Sequence, residues 1–323
     1  MALLTHMGEL LAILALTMFS TNIILTKVAS AKVAVGLGFL VAVIVNVLFA
    51  SLLMAVQVAV RQEPLQVDLS ALLLFALAGF FSTYLGRWFF YDSVVRLGPS
   101  RASAFQASNP MFTVLIAWLV LGETLTRTDV AAAAAILLGL SLASYRPPER
   151  GSGSPGRPFE KASGKEKTRS TLSHGVRLIV RSGVFLALFG ALSYAVSNVL
   201  RGLAIRDWNE PVLGVLVGAV TGLVASLLLS SEARGFLSKL RRADHRSLHL
   251  YVISGILTVL AQGCMIAAMR YSPVSIVTLI TLSTPVLVTP LGYFLLQNRE
   301  RLVPRTVLGS ILVLSGIAAI LLT

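Results

Sequence analysis

Long apolar segments follow one another along almost the whole of this chain. Hydrophobic residues make up 56% of its 323 residues and charged residues 13%, and the mean hydropathy is +0.83. Runs such as 72–81 and 216–229 are apolar on every side, whereas a helix on a soluble core keeps one polar face. Hydrocarbon about 30 Å thick needs about 20 residues of helix, and a helix satisfies its own backbone there. The sequence therefore predicts an all-α integral membrane protein.

The apolar segments predict ten transmembrane helices. The shortest segment, 128–145, contains the small residues Ala131 to Ala135 and Gly139, which suit close helix packing. Residues 146–181 form the one long polar segment, rich in Gly, Ser, Pro and charge, and predict a flexible linker. The expected spans are 8–29, 34–60, 69–95, 99–121, 128–145, 178–204, 211–231, 248–270, 272–296 and 304–323.

The second half of the chain repeats the first. Arg96-Leu-Gly-Pro99 is followed by Asn109-Pro110, and Arg270-Tyr-Ser-Pro273 is followed by Thr284-Pro285, at an offset of 174 to 175 positions. Five expected spans fall in each half, and an odd number of crossings inverts the second copy relative to the first. We therefore expect two inverted five-helix repeats.

The repeats divide the chain into three parts. Residues 1–145 form the first repeat, 146–181 the polar basic linker, and 182–323 the second repeat.

Basic residues outnumber acidic residues by 27 to 14, which gives a net charge of +13. They lie mainly between apolar segments, where they meet anionic headgroups and set topology, so we expect no nucleic-acid partner. With alternating loops, 21 basic residues lie on the side of the linker and five on the other, while Arg87 lies within a span. The five are Arg61, Arg127, Arg201, Arg206 and Arg270. The positive-inside rule then predicts a cytoplasmic linker and both termini outside.

One stretch, from Tyr91 to Glu123, combines a Gly/Pro turn, a helix with a central proline, and Leu121-Gly122-Glu123 before the next helix. It resembles the corresponding segment of the drug/metabolite transporter superfamily, in its ten-helix EamA branch. The second half repeats the pattern more loosely, with Gln-Asn-Arg-Glu at 297–300, and the final helices pair Gly139 with Gly316. The resemblance covers nearly the whole chain.

This resemblance implies two five-helix bundles around a central cavity, and export or exchange of small metabolites. It also implies cytoplasmic termini, which conflicts with the charge count.

Polar residues within the third span are the first candidates for a binding site. Tyr84, Arg87 and Tyr91 share a face of an α-helix by their i, i+3, i+7 spacing, and offer a cation and two hydroxyls to an anionic or zwitterionic solute. In the alternative, Arg87 snorkels or pairs with a carbonyl, and the tyrosines form an interfacial belt. Asp92 and Arg96, spaced i, i+4, predict a local ion pair near the membrane edge.

Two prolines mark the second group of candidates. Pro110 and Pro285 predict kinks that free the carbonyls of Gln106 and Thr281, and symmetry-related kinks point to a substrate site. Amides elsewhere in the spans either bond across helices or face a polar cavity. The candidate cavity residues are Asn22, Tyr84, Arg87, Tyr91, Gln106, Asn109, Tyr194, Asn198, Gln262, Thr281 and Thr284, with Pro110 and Pro285 as helix kinks.

Two further patterns bear on packing and charge. Gly214, Gly218 and Gly222 form a stripe on the seventh span that predicts a close helix contact, within one chain or between two. Of the fourteen acidic residues, Glu9, Asp92 and Asp129 fall within expected spans, each towards an end.

The sequence contains no Walker-type glycine loop, no His/Cys metal spacing and no Ser/His/Asp arrangement, so we expect neither an enzyme nor a cofactor or metal site. The expected partners are a small-molecule substrate and membrane lipid, for a monomer or homodimer in the cell membrane. The predicted function is a transporter, an exporter or exchanger of small polar metabolites by alternating access, with amino acids or related compounds as first candidates. A flippase or facilitator for lipid headgroups or other small solutes is the alternative.

Overall fold

A computed structural model describes residues 6–61, 67–97, 105–144, 183–229, 235–284, 286–288, 291 and 304–321. The helices are α1 (Met7–Ala29), α2 (Val35–Val60), α3 (Leu69–Gly79), a π-helical turn (Phe80–Gly86), α4 (Arg87–Leu97), α5 (Asn109–Leu121), α6 (Arg127–Ser144), α7 (Gly183–Asp207), α8 (Pro211–Leu229), α9 (Phe236–Arg242), α10 (His245–Tyr271), α11 (Val274–Thr281) and α12 (Pro304–Leu321).

These helices follow the apolar segments closely. Within the described residues, six are long and apolar enough to cross a membrane, and Asn109–Leu121 and Val307–Ile320 are shorter apolar helices. The third expected span is one continuous helical segment, formed by α3, the π-helical turn and α4. The sixth reaches Asp207 instead of 204, so Arg201 lies further from the end of its helix than the expected span puts it. The linker at 146–181 lies outside the described residues.

Large apolar side chains cover the outside of the helices while polar side chains lie inside. Leu52, Trp118 and Leu228 are 58%, 60% and 77% exposed, whereas Glu123 and Arg201 are both 7% exposed. A soluble monomer avoids such broad apolar exposure, and hydrocarbon expels polar groups to the interior. This distribution fits a protein surrounded by lipid.

Most contacts between helices join the two halves of the chain. α1 packs against α10 and α11, while α7 packs against α3, α4 and α5; α2 meets α8, and α6 meets α12. The interior is therefore built mainly from helices that are distant in sequence.

The glycine stripe on α8 packs against the third span of the same chain. A Cβ on Gly79 would lie 2.5 Å from both Cα and O of Gly218, and one on Gly222 would lie 2.3 Å from Cγ2 of Thr83. Gly214 lies in the same way against the ring of Phe75. The predicted close helix contact is confirmed, within one chain, because two backbones that touch leave no room for a side chain.

A second glycine contact joins α6 to α12. A Cβ on Gly139 would lie 2.5 Å from the carbonyl oxygen of Gly309, and one on Gly316 would lie 2.8 Å from that of Ala132. A shift of 177 positions relates Gly139 to Gly316 and Ala132 to Gly309. The contact of Gly139 with Gly309 is therefore the repeat equivalent of the contact of Gly316 with Ala132. The two helices thus meet through equivalent positions.

Aspartates begin two of the helices. The hydroxyl of Ser70 and the amide of Ala71 donate to Asp68 at the start of α3 and hold the pKa of that carboxyl below its usual range. At the start of α10, the amide and then the hydroxyl of Ser247 do the same for Asp244. A carboxylate that accepts from the first free amides of a helix is a favourable N-cap.

The glycine contact between α3 and α8 predicts opposite effects for one substitution at two positions. Gly79→Ala places a methyl group against the backbone of Gly218 and should lower the free energy of unfolding by about 1–3 kcal/mol. Gly263→Ala is the matched control, because nothing lies within 4 Å of a Cβ there, and the gain in helix propensity should raise stability by about 0.5–1 kcal/mol. Thermal unfolding in detergent measures both. Equal melting temperatures for the two variants contradict this account of the contact.

Candidate functional site

A buried cluster of polar side chains lies where α7 meets the third span and α5. Nη2 of Arg201 donates to Oγ of Ser82 at 3.1 Å, and that hydroxyl donates to the carbonyl of Ala78 at 2.8 Å. Ser197, one turn earlier on α7, donates to the same carbonyl at 2.8 Å. Ser82 belongs to the π-helical turn, a local rewinding that often accompanies functional sites.

Two of the predicted cavity residues, Asn198 and Asn109, meet at Thr113, with Asn198 one turn of α7 before Arg201. Nδ2 of Asn198 lies 3.5 Å from Oγ1 of Thr113, and that hydroxyl reaches Oδ1 of Asn109 at 3.2 Å and its carbonyl at 3.1 Å. Asn109 and Asn198 are each 5% exposed. The structure therefore brings these two amides, from opposite halves of the chain, to one buried place beside Arg201.

The prediction of a kink at Pro110 needs correction. Pro110 lies in the first turn of α5, after a turn at 107–108, so it starts a helix instead of bending one. Its missing N–H costs nothing there, because the first amides of a helix have no partner within the helix. Beside this break, Oε1 of Gln106 is buried without a hydrogen-bond partner among the described residues.

The structure describes the side chains of two of the three third-span candidates, Tyr84 and Arg87, so the predicted polar face stays a prediction. The i, i+3, i+7 argument assumes an α-helix, whereas Phe80–Gly86 is wound as a π-helix, so the spacing no longer fixes a common side. The guanidinium carbon of Arg87 lies 3.3 Å from the ring centroid of Phe39, a cation–π contact. Tyr84 stacks on Phe80 with 5.7 Å between ring centroids. The side chain of Tyr91 lies outside the described residues.

Tyr194 lies at the edge of the Arg201 cluster. Its ring packs where a Cβ on Gly86 would lie, at 2.9 Å, and it lies seven positions before Arg201 on α7. Of the predicted site residues, Asn198 and Tyr194 thus lie three and seven positions before Arg201 on α7, on the same face of that helix.

Asn22 belongs to a separate contact, between α1 and α10. Its Nδ2 donates to Oγ1 of Thr258 at 3.0 Å, and its Oδ1 accepts from Oγ of Ser254. Thr26 adds a hydroxyl contact with Ser254 at 3.3 Å. These bonds fit the interhelical alternative for amides within spans.

Four predicted site residues remain: Thr281, Gln262, Thr284 and Pro285. Oγ1 of Thr281 donates to the carbonyl of Val277 at 2.6 Å, a bond within its own helix. Gln262 and Thr284 are half-buried. Pro285 lies outside the described residues, so its predicted kink stays a prediction.

Glu123 is a buried carboxylate that links the two halves. Its Oε1 accepts from Nη2 of Arg206 at 2.9 Å and from the amide of Val274 at 2.7 Å. Its Oε2 accepts from the amide and hydroxyl of Ser275, at 3.2 and 2.7 Å. The carboxylate thereby caps the first turn of α11, where free amides favour negative charge.

Local geometry aims Glu123 at that helix. Gly122 ends α5 in the left-handed conformation, with φ of 63°, which glycine adopts without strain. The chain therefore turns sharply and directs the next side chain inward. Nη1 of Arg270 donates to the carbonyl of Arg206 at 2.6 Å and ties the ends of α7 and α10 together.

Two further carboxylates lie at the same end of the helices. Glu210 is 5% exposed and accepts from Nε2 of Gln57 at 2.8 Å and from Nη1 of Arg61. Glu9 accepts from the hydroxyl of Ser272 at 2.7 Å, and its second oxygen is buried without a partner among the described residues. We refer to Glu9, Glu123 and Glu210 as the carboxylate layer.

Sequence reasoning missed the most heavily bonded of these groups. Glu123 and Glu210 fall between apolar segments, where a charge is expected to face water, and Arg201 lies close to the expected end of its span. One signal was available, since Glu123 directly follows the Leu121-Gly122 helix end on which the resemblance depends.

Comparisons with known proteins place these observations in a family. The sequence pattern of the EamA-like transporter family matches residues 6–145 and, separately, 181–322. The chain belongs to the EamA-like transporter family. A solved crystal structure is similar in fold, with a TM-score of 0.68 and 18% identity over 97% of both chains. No curated protein matches the sequence.

Membership of the EamA-like transporter family identifies the chain as a multi-pass membrane protein and a transporter of small solutes. The apolar helices and the lipid-facing apolar surface agree with it. The buried polar groups around Arg201 are the candidate for its solute-binding site.

The bonds to Glu123 predict a large effect for a small change. Glu123→Gln removes the charge that Arg206 and the first turn of α11 share, and leaves one oxygen to accept four donors. Hydrogen bonds to charged groups contribute about 1.5–3 kcal/mol each, so unfolding free energy should fall by about 2–4 kcal/mol.

Asp92→Asn is the matched control. Asp92 pairs with Arg96 in a solvent-accessible i, i+4 bridge at 2.8 Å, and removing such a pair costs about 0–1 kcal/mol. Thermal unfolding of the purified variants in detergent compares them. A Glu123→Gln variant no less stable than Asp92→Asn shows that the cap on α11 carries little energy.

Proposed function

We propose that this protein moves small polar metabolites across the cell membrane by alternating access of two inverted five-helix halves, residues 1–145 and 182–323, joined by a linker at 146–181. The observation that carries the proposal is the polar cluster of Arg201, Asn198 and Asn109. Polar groups are expensive in hydrocarbon and are retained where they serve a solute pathway. This cluster is buried between helices of opposite halves, where transporters built from repeats bind their solutes.

The pairing of helices supports an inverted repeat. The first span of each half packs against the third span of the other half: α1 contacts α10, and α7 contacts α3 and α4. Exchanging the two halves therefore converts one of these contacts into the other. The α6–α12 contact through Gly139 and Gly316 maps onto itself under the same exchange. Such a pattern is expected when a twofold axis in the membrane plane relates the two copies.

The carboxylate layer supports alternating access. Glu123 joins the loop after α5 to the start of α11, and Glu210 joins the end of α2 to the start of α8. Opening the protein at this end requires these bonds between the halves to separate. Ion pairs and caps of this kind have two discrete arrangements, made and broken, which suits a gate.

Charge supports one orientation. With alternating loops, 21 basic residues lie on the side of the linker and five on the other. The positive-inside rule then puts the linker in the cytoplasm, and the carboxylate layer at the opposite end of the molecule.

Reconstituted protein tests the transport function. We expect liposomes that contain the purified protein to take up at least one solute from a water-soluble metabolite extract, relative to protein-free liposomes. Uptake should saturate with concentration and accelerate when the vesicles are preloaded with unlabelled solute, because a carrier returns faster when loaded. Mass spectrometry of the washed vesicles reads the result.

Other outcomes separate the alternatives. Uptake that rises linearly with concentration and shows no counterflow identifies a facilitator. Movement of labelled lipid between leaflets, with no uptake of water-soluble compounds, identifies a flippase.

A reporter fused at position 155 tests the orientation. A reporter active in the cytoplasm is expected to give signal there, since the linker carries nine basic residues between 146 and 181. Signal from a reporter active outside the cytoplasm reverses the orientation and puts the carboxylate layer inside.

A further inference from the structure

Arg201 is a cation held deep within a membrane helix. It lies six positions before the end of α7 at Asp207, which is about 9 Å at the rise of an α-helix. It is 7% exposed. Its guanidinium has five N–H donors, and one of them reaches the hydroxyl of Ser82.

No carboxylate among the described residues lies within ion-pair distance of this guanidinium. The buried carboxylates at the nearby end of the helices are occupied, Glu123 by Arg206 and Glu210 by Arg61. Its bonded partner on the third span is the neutral hydroxyl of Ser82. The polar residues one turn earlier on α7, Ser197 and Asn198, are neutral as well, and they bond to the third span and to α5. A buried charge without a counter-charge costs several kcal/mol, so this position needs a reason beyond packing.

The other half of the molecule shows that the helix contact does not need a charge. A shift of 176 positions relates Asn22 to Asn198, Ser254 to Ala78 and Thr258 to Ser82. The contact between α1 and α10 is therefore the counterpart of the contact between α7 and the third span, and it is held by an amide and two hydroxyls. The same shift relates Arg201 to Leu25. The contact between α7 and the third span thus carries a guanidinium that its counterpart between α1 and α10 lacks.

We propose that Arg201 is the anion-recognising group of the transport site, and that the transported solute carries a compact anionic group, a carboxylate, sulfonate or phosphate. The inference rests on the proposed transport function and names its substrate class. The planar fork of an arginine matches such oxygens with two parallel charge-assisted hydrogen bonds. Asn198 and Asn109 supply neutral donors and acceptors beside it for the rest of the solute.

Entry of the solute to Arg201 follows from its position. Arg206, five residues further along α7, is held by Glu123 in the carboxylate layer. Separation of that bond uncovers the end of α7 nearest to Arg201, so the same step that opens this end exposes the cation to an incoming anion.

The test uses the reconstituted full-length protein and an unselected solute pool. Vesicles with wild-type protein are incubated with a water-soluble metabolite extract, washed, and analysed by mass spectrometry against protein-free vesicles. We expect the accumulated compounds to carry a carboxylate, sulfonate or phosphate, and their identity separates these three sources of the anionic group. Arg201→Gln should lower their accumulation about tenfold or more, because hydrogen bonds to a charged group are lost. Arg201→Lys should retain an intermediate level, since it keeps the charge and loses the fork.

Arg127→Gln is the matched control, because Arg127 is exposed at the start of α6, and its accumulation should equal that of wild type. Accumulation of uncharged or cationic compounds by wild type overturns the inference and leaves the transport function in place. Undiminished accumulation of anions by a folded Arg201→Gln variant overturns it as well. If wild-type vesicles accumulate nothing beyond protein-free vesicles, the transport function fails and the inference falls with it.

A measurement on wild-type protein covers the case in which Arg201→Gln does not fold. Phenylglyoxal modifies guanidinium groups, and mass spectrometry locates the modified peptide. An accumulated anion should slow modification of Arg201 at least about tenfold when it saturates the site, and the corresponding amide or alcohol should not. A modification rate at Arg201 that the anion leaves unchanged counts against the proposal.

Discussion

The lipid around this protein sets the rule that the rest of the structure follows: polar groups within the hydrocarbon find partners in the interior, because none exist outside. Asn22 pairs with hydroxyls on α10, Glu123 with an arginine and the first turn of α11, and Arg201 with a hydroxyl of the π-helical turn. Each of these bonds joins one half of the chain to the other. The polar groups therefore determine which helices meet, while the apolar surface determines only that helices form.

This division explains how much of the fold could be predicted. Hydropathy located the helices to within a few residues, as for α1, α2 and α10, because length and apolarity are local properties of the sequence. The stripe of Gly214, Gly218 and Gly222 correctly indicated a close contact, since only small residues permit one. Its partner, the third span, could not be read from the sequence, because partner choice depends on both helices.

The candidate site was harder to predict for physical reasons. Asn109 and Asn198 were identified from their position in apolar segments, but Arg201 was counted with the loops because it lies only three positions from the expected end of its span. Pro110 was interpreted as a kink, although the same residue also suits the first turn of a helix. Glu123 lies outside the apolar segments and is buried by the turn at Gly122, and burial of that kind depends on tertiary structure.

The π-helical turn has a consequence for how the two halves diverged. From Ser82 to Arg96 the first half has fourteen steps, whereas the equivalent stretch from Thr258 to Arg270 has twelve. A π-helix holds more residues in each turn than an α-helix, because its hydrogen bonds span five residues. The turn at Phe80–Gly86 therefore absorbs the two added residues within the helix. Ser82, the partner of Arg201, lies within this turn. The two added residues and the added charge therefore occur at the same contact, between α7 and the third span. The equivalent contact, between α1 and α10, has neither.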